Sequence, residues 1–342
     1  MTRQRINALI VSDREDLVPV LECEGDIAVV AQATTGVVAL ACIAAERPDI
    51  VLLDLNLRSG SHDVIGQIMD QAPTPILVLT ARVDGRRSPS AVLALVAGAL
   101  DALPLPERWS AAQGSELRQA VRRLSKAWVI RHLRGRSDPV PGAKAEPRTD
   151  WQPVVAMAAS TGGPTAFATV LAELGGLPVP VLIVQHLHPE FMGGLLEWMS
   201  RVSALPVGIA EHGERAKPGH VYLAPGDVHL RLGRRSCLEL DPEPASVHRP
   251  SADILFASVA EQAGPAGVGV VLTGMGDDGA VGLLAIRRRG GHTIAQDEDS
   301  SAVFGMPRAA QRIGAVTDLH PLSQLAVAIR QYAVRAVTKA QT

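Results

Sequence analysis

Three polar residues in the second half of the chain each follow an aliphatic run. Ser160 follows residues 153–158, His186 ends the run Val-Leu-Ile-Val-Gln, and Asp278 comes shortly after Val-Val-Leu-Thr. If these runs are parallel strands, their carboxyl ends meet at one edge of the sheet, where open α/β folds bind ligands. A hydroxyl, an imidazole and a carboxylate at one edge could serve as nucleophile, base and orienting acid. Spacing along the chain does not by itself establish that they meet.

The residues after Ser160 favour a sharp strand-to-helix turn. Gly162 and Gly163 permit the turn, and Pro164 suits the first turn of a helix, where its missing N–H costs nothing. The helix N-terminus would bring N–H groups and a positive dipole to a developing oxyanion. A phosphate-binding turn or a simple helix cap remains an alternative for this loop, although no Gly-Lys-Ser/Thr follows, as in a P-loop. Likewise, His186 could be a packing residue, and Asp278 could be a helix N-cap.

The composition indicates a folded α/β protein. Hydrophobic residues make up 47% and charged residues 20%, with a net charge of −2, which excludes extended disorder and argues against nucleic-acid binding by the chain as a whole. Three cysteines without a CxxC spacing predict neither a disulfide framework nor a zinc site. An apolar stretch of the roughly 20 residues needed for membrane insertion is missing, and the first apolar run is too short for a signal peptide. We therefore expect a cytoplasmic protein.

The alternation of aliphatic runs with amphipathic stretches predicts two α/β units. Residues 1–108 hold five strand–helix repeats, which indicate a doubly wound parallel sheet. Residues 109–150 are predicted to form a helix, at 109–134, followed by a Pro/Gly-rich linker at 135–150. Residues 151–342 are predicted to form a larger doubly wound domain that includes a small antiparallel hairpin between Gly219 and Leu240.

Several separated blocks of the second half resemble the chemotaxis response-regulator protein-glutamate methylesterases. They are Ala-Ser-Thr-Gly-Gly-Pro (159–164), Val-Gln-His (184–186), Pro-Gly-His-Val-Tyr-Leu-Ala-Pro-Gly-Asp (218–227), His-Arg-Pro-Ser-Ala-Asp-Ile-Leu-Phe (248–256), Leu-Thr-Gly-Met-Gly-Asp-Asp-Gly-Ala (272–280), and Ala-Gln-Asp with Val-Phe-Gly-Met-Pro-Arg (295–308). Blocks of this length in this order make the resemblance specific.

The resemblance implies an activity and the residues that carry it. Ser160, His186 and Asp278 would be the catalytic triad. The oxyanion and substrate environment would be formed by Thr161, Met275 and His248. The implied reaction is hydrolysis of glutamate γ-methyl esters, and deamidation of specific glutamines, on methyl-accepting chemotaxis receptors. It implies no cofactor for catalysis.

The same family carries an N-terminal receiver domain, which the first unit resembles. Asp54, at the end of the third predicted strand, would be the phosphoacceptor, and a sensor histidine kinase would be the phosphodonor. The resemblance implies Mg²⁺ held by Asp13, Asp54 and the backbone carbonyl of Asn56, with Thr80 as the switch hydroxyl.

Two departures from the family pattern weaken this expectation. Ser12 stands where one acidic residue is usual, and Leu105 occupies the position of a lysine that would pair with the phosphoryl charge. We therefore expect weakened Mg²⁺ binding and a blunted switch. One alternative is a pseudo-receiver that gates the esterase by docking alone.

Two further alternatives concern the target. A serine esterase of the same family could act on a signalling protein outside chemotaxis. A receiver-controlled DNA-binding regulator is suggested by the basic residues between Arg118 and Arg136, although no helix-turn-helix follows.

Overall fold

The computed structural model describes residues 5–56, 61–81, 89–125, 151–243 and 248–341. The chain divides into two compact units, Met1–Val129 and Ile130–Thr342. The predicted linker at 135–150 and the end of the predicted helix at 109–134 lie outside the described residues.

The first unit is a five-stranded parallel sheet with the strand order β2-β1-β3-β4-β5. Its strands are β1 (Ile6–Val11), β2 (Ile27–Ala33), β3 (Ile50–Asp54), β4 (Ile76–Thr80) and β5 (Asp101–Pro104). Its helices are α1 (Leu17–Glu22), α2 (Gly36–Glu46), α3 (Ser61–Gln71), α4 (Pro89–Val96) and α5 (Ala111–Leu124). Every residue of the central strands β3 and β4 is buried, which explains their unbroken apolar sequences. The predicted parallel α/β architecture is confirmed.

Helix α5 belongs to the first unit, whereas the sequence pattern groups this helix with the linker that follows it. It begins with a capping box between Ser110 and Gln113. Three arginines of this helix form salt bridges with acidic residues of the same unit: Arg118 with Glu24, Arg122 with Glu24 and Asp26, and Arg123 with Asp101. Because these cations already have carboxylate partners, they no longer suggest a free nucleic-acid-binding face.

The second unit is built on a seven-stranded parallel sheet with the strand order β14-β13-β12-β6-β7-β9-β8. The strands of this unit are β6 (Val154–Ala159), β7 (Val181–Gln185), β8 (Val207–Ile209), β9 (Val221–Leu223), β10 (His229–Leu232), β11 (Leu238–Asp241), β12 (Gly267–Val271), β13 (His292–Gln296) and β14 (Asp318–His320). The helices are α6 (Gly163–Ala172), α7 (Met192–Val202), α8 (Ala252–Ala263), α9 (Ala280–Arg288), α10 (Met306–Arg312) and α11 (Leu322–Gln341). Within the described residues, no helix has both the length and the apolar character needed to cross a membrane.

The predicted hairpin between Gly219 and Leu240 is present, but it does not fill that segment. Strands β10 and β11 pair antiparallel, as expected. Strand β9, however, pairs in parallel with β7 and β8 and so belongs to the main sheet. Its three residues are fully buried, and such a short apolar run does not reveal its partner strand. Helix α10 and strand β14 are not predicted from the sequence pattern.

The three central strands of this sheet position the candidate site. Strands β12, β6 and β7 are direct neighbours, and all of their residues are buried. Because they run in parallel, their carboxyl ends lie side by side at one edge.

Candidate active site

The predicted catalytic residues follow these three adjacent strands. Ser160 follows β6, His186 follows β7, and Asp278 lies beyond β12. Backbone pairing continues past the strand ends, since His186 N donates to Ala159 O at 3.0 Å and Ser160 N donates to Thr273 O at 3.1 Å. The loops that carry the three residues are therefore tied to one another.

The turn after Ser160 has the geometry that the sequence predicts. Gly163 N donates to Ser160 O at 2.9 Å, which closes a tight turn at the start of α6. Gly162 adopts the left-handed conformation with φ of 76°, and a Cβ there would lie 2.6 Å from the Ala302 Cβ. Only glycine fits this backbone conformation and this space without strain. Pro164 lies in the first turn of α6.

His186 and Asp278 are in direct contact. The distance from His186 Nε2 to Asp278 Oδ2 is 2.8 Å, and the two side chains are 10% and 8% exposed. The carboxylate can only accept, so Nε2 carries the hydrogen of this contact, and in the neutral imidazole Nδ1 then presents a lone pair. This Nδ1 is buried and has no hydrogen-bond partner among the described residues. The His248 ring stacks on the His186 ring, with 4.3 Å between centroids.

The Ser160 hydroxyl makes no hydrogen bond to the His186 ring in the described part of the chain. Its link to His186 runs instead through backbone groups and through the side chain of Gln185. Nucleophile–base hydrogen bonds often tighten only when substrate binds, so this geometry is compatible with a Ser–His pair.

Asp278 also caps helix α8. Its Oδ1 accepts from Ser251 Oγ at 2.8 Å and from Asp253 N at 3.0 Å, and its Oδ2 accepts from Ala252 N at 2.7 Å. Burial by itself would raise the pKa of Asp278. The hydrogen bond and charge of His186, together with the N–H groups of the α8 N-terminus, outweigh burial and hold that pKa well below its usual range. Asp278 is thus a carboxylate that orients the imidazole and caps a helix at the same time.

A residue of helix α8 in turn caps helix α9. Asp253, in the first turn of α8, accepts from Gly282 N of α9 at 2.7 Å. Burial raises the pKa of Asp253, and the nearby negative charge of Asp278 adds to this effect. A Cβ on Gly282 would lie 2.6 Å from Asp253 O, so the helices approach closely at this point. The hydrogen bond from Gly282 N to Asp253, together with the bonds that Asp278 accepts, holds the N-termini of α8 and α9 next to each other.

Some residues that hold the site were not singled out from the sequence. Gln185 Nε2 donates to Ser160 O and to His186 O, at 2.8 Å each. Thr273 Oγ1 donates to Thr161 O at 2.9 Å. A Cβ on Gly274 would lie 2.9 Å from the Ser160 Cβ. The sequence feature that could have indicated a role for Gln185 is its position, because it is the one polar residue of the apolar run 181–185 and directly precedes His186.

The predicted oxyanion and substrate residues lie around this edge. Thr161 is buried, and Met275 is partly buried in the loop after β12. His248 stacks on His186, as described above. Their roles in binding the substrate remain predictions.

In the first unit, Asp54 ends β3 and is 3% exposed. Its Oδ2 accepts from Ser12 Oγ at 3.0 Å, while its Oδ1 accepts from Asn56 N at 2.8 Å and from Asn56 Nδ2 at 3.0 Å. Asp13 is exposed, and Thr80 Oγ1 donates to Ala81 O at 3.3 Å. Both oxygens of Asp54 therefore have protein donors.

Leu105 is buried at the end of β5, with its N–H donating to Thr80 O at 2.7 Å. An aliphatic side chain at this position supplies no charge to a neighbouring anion. The described residues hold no group of three or more His, Cys, Asp or Glu side chains suited to a metal ion.

Comparison with known proteins agrees with this architecture. Residues 155–329 match the family model described as CheB methylesterase. The chain is 41% identical to protein-glutamate methylesterase/protein-glutamine glutaminase 2 of Anaeromyxobacter dehalogenans, over 95% of this chain and 96% of the relative. It is 40% identical to protein-glutamate methylesterase FrzG of Myxococcus xanthus, over 94% of this chain and 92% of the relative.

A solved structure supports the same relationship for the second unit. The catalytic domain of the CheB methylesterase from Thermotoga maritima is 34% identical to this chain, with a TM-score of 0.51 over 53% of this chain and 98% of that domain.

The second unit, with polar residues after three adjacent parallel strands, therefore has the architecture of a methylesterase catalytic domain. The chain belongs to the CheB methylesterase family.

Proposed function

We propose that this protein hydrolyses glutamate γ-methyl esters, and deamidates specific glutamines, on methyl-accepting chemotaxis receptors in the cytoplasm. The observation that carries the proposal is the 2.8 Å contact between His186 Nε2 and Asp278 Oδ2, which leaves His186 Nδ1 without a hydrogen-bond partner among the described residues. His186 follows β7, and Ser160 follows the neighbouring strand β6. The free state of Cys23, Cys42 and Cys237 is consistent with a reducing compartment.

In the proposed mechanism, His186 Nδ1 takes the proton of Ser160 as Oγ attacks the ester carbonyl. The protonated imidazole then gives that proton to the leaving methoxide, so methanol departs and an acyl-enzyme remains. Water, deprotonated by His186, releases the glutamate and restores the serine. Asp278 keeps the hydrogen on Nε2 and stabilises the imidazolium that forms.

The oxyanion of the tetrahedral intermediate would lie near Thr161 and Met275, close to the N-terminus of α6. Backbone N–H groups at a helix N-terminus favour negative charge, and removal of one oxyanion donor from other serine hydrolases costs about 3–4 kcal/mol. His248, stacked on the imidazole, would line the approach of the substrate.

The first unit would regulate this activity through phosphorylation of Asp54 by a sensor histidine kinase. Two carboxylates, from Asp13 and Asp54, and the Asn56 carbonyl are ligand types that suit Mg²⁺, so the donor set fits a weakly held ion. Mg²⁺ bound there would neutralise charge on the transferring phosphoryl group. The hydrogen bond from Ser12 to Asp54 would have to rearrange around such an ion.

A second candidate for the first unit is a pseudo-receiver that controls the esterase by docking alone. The observation that favours it is that both oxygens of Asp54 accept hydrogen bonds from protein groups, together with the buried Leu105. Likewise, an esterase of this family that acts on a signalling protein outside chemotaxis would use the same three catalytic residues.

The test incubates the full chain with methyl-labelled receptor membranes and follows methanol release. Wild-type protein should release label and Ser160→Ala should not; equal release by both would refute the triad. Repeating the assay with acetyl phosphate, using wild type and Asp54→Asn, separates the two candidates for the first unit. Activation of wild type alone supports phosphorylation, whereas no response in either supports the pseudo-receiver. Membranes from a non-chemotactic signalling system provide the comparison of targets.

A further inference from the structure

Gln185 connects the two residues proposed to exchange a proton. It is the last residue of β7, and only 2% of it is exposed. Its Nε2 donates to Ser160 O and to His186 O, both at 2.8 Å. One buried amide therefore bridges the main chain of the nucleophile and of the base.

The contacts fix the orientation of this amide. Its nitrogen has two hydrogens, and each has a carbonyl acceptor. Exchanging nitrogen and oxygen would set Oε1 against two carbonyl oxygens, so the hydrogen-bond network allows one assignment. The side chain also lies tightly against α6, because a Cβ on Gly163 would be 2.0 Å from Oε1.

The arrangement leaves a buried polar atom unsatisfied. Gln185 Oε1 has no hydrogen-bond partner among the described residues. A buried unpaired acceptor is unfavourable, so an apolar side chain would suit this strand better if packing were its sole role. The two bonds made by Nε2 are what an apolar side chain would lose.

We propose that Gln185 is a positioning residue that sets the separation between Ser160 and His186. The Ser160–His186 chemistry itself rests on the proposed function. Other backbone bonds hold neighbouring atoms, such as the one from His186 N to Ala159 O. Gln185 differs in holding the main chain of the nucleophile and of the base at once. Its loss would let the two loops shift relative to each other, and a shift of about 1 Å can reduce a rate by about 100-fold.

The experiment compares Gln185→Met, which keeps the size but removes the donor, with Gln185→Glu, which sets an acidic group against the carbonyls. The rate at which a fluorophosphonate probe labels Ser160 reports nucleophile reactivity without a receptor substrate. Methanol release from methylated receptor gives kcat and KM. We expect both the labelling rate and kcat to fall about 10- to 100-fold, with KM changed by less than about threefold.

Ser258→Ala provides a control for the loss of a buried polar link elsewhere in the unit. Ser258 Oγ donates to Leu255 O at 2.7 Å and accepts from Leu232 N at 2.9 Å, which connects α8 with β10. This variant should lower the melting temperature, while the folded protein keeps the wild-type labelling rate.

Wild-type labelling and kcat in both folded Gln185 variants would overturn the proposal. The proposal would also be overturned if Ser258→Ala had the same melting temperature as the Gln185 variants and showed an equal fall in labelling rate. The lower rate would then be an effect of general destabilisation. If Gln185→Met does not fold, Gln185→Glu and Gln185→Asn decide. If wild type is labelled at Ser160 but releases no methanol, the proposed substrate is wrong, and slower labelling of the Gln185 variants still supports positioning.

Discussion

Replacement of Asp278 by asparagine tests the two roles of its carboxylate, which are to orient the His186 ring and to cap helix α8. Its Oδ2 accepts from the His186 ring and from Ala252 N, while its Oδ1 accepts from Ser251 Oγ and Asp253 N. An asparagine keeps the shape but has only one oxygen. If that oxygen stays with Ser251, the amide NH₂ faces the His186 ring and the Ala252 N–H.

This arrangement predicts two separate losses. The NH₂ group can donate to His186 Nε2 only if the ring hydrogen moves to Nδ1, which then cannot accept the Ser160 proton. The wrong tautomer lowers kcat by about 10⁴-fold in serine proteases, and we expect about 10³- to 10⁴-fold here. The Ala252 N–H loses its acceptor and the α8 N-terminus loses a charge, which together cost about 2–5 kcal/mol of unfolding free energy.

Methanol release from labelled receptor measures the first loss, and urea unfolding measures the second. Asp277→Asn is the matched control, because Asp277 is the exposed neighbour on the same loop. It should keep wild-type stability and rate. An Asp278→Asn variant with kcat within tenfold of wild type would refute the assignment of the tautomer, whatever its stability.

Three further outcomes follow from the same contacts. Asp253→Asn should stay within about 0.5 kcal/mol of the wild-type free energy of unfolding, because the amide oxygen still caps α9. Asp253→Ala should lose about 1 kcal/mol. Equal urea midpoints for the two variants would show that Asp253 does not cap α9. Gly274→Ala should lower kcat about 100-fold, since the new Cβ would lie 2.9 Å from the Ser160 Cβ. Steady-state kinetics on the folded variant test this prediction. A wild-type kcat would contradict the close packing of Gly274 against Ser160. The lowered pKa of Asp278 contributes stability above the unfolded-state pKa of about 3.9, and this contribution is lost as the pH falls further towards the folded-state pKa. Wild-type melting temperatures should therefore fall more steeply than those of Asp278→Asn below about pH 4, and parallel curves would contradict this.

The sequence predicted most of the architecture because the strands are buried on both faces. Unbroken aliphatic runs predict strands at Ile50–Asp54 and at Ile76–Thr80, and the structure has both strands with these bounds, because a central parallel strand requires such a run. Helix α10 was missed because its seven residues are too few for a periodic pattern. Strand β9 was assigned to the hairpin because a buried three-residue run has no partner-specific signal.

The supporting contacts of the site could not be read from the sequence. Its position in the chain suggests that Asp278 caps the helix that follows it, but it caps α8, whose N-terminal residues Ser251 and Ala252 lie 27 and 26 positions earlier. Gln185 reaches Ser160 across 25 positions. Local spacing predicts which residues end a strand, whereas such contacts depend on how neighbouring loops fold over the sheet edge.

Each unit has polar residues where parallel strands end, but the hydrogen bonding of these residues differs between the two units. In the first unit, both oxygens of Asp54 accept hydrogen bonds, from Ser12 and from Asn56. In the second unit, His186 Nδ1 is buried without a partner in the described part of the chain, although leaving a buried acceptor unpaired costs about 1–3 kcal/mol. In the proposed mechanism, the proton of Ser160 would supply the missing partner of this atom. On this basis we expect the second-unit site to accept a proton without rearrangement, whereas phosphorylation of Asp54 would first require its hydrogen bonds to Ser12 and Asn56 to break.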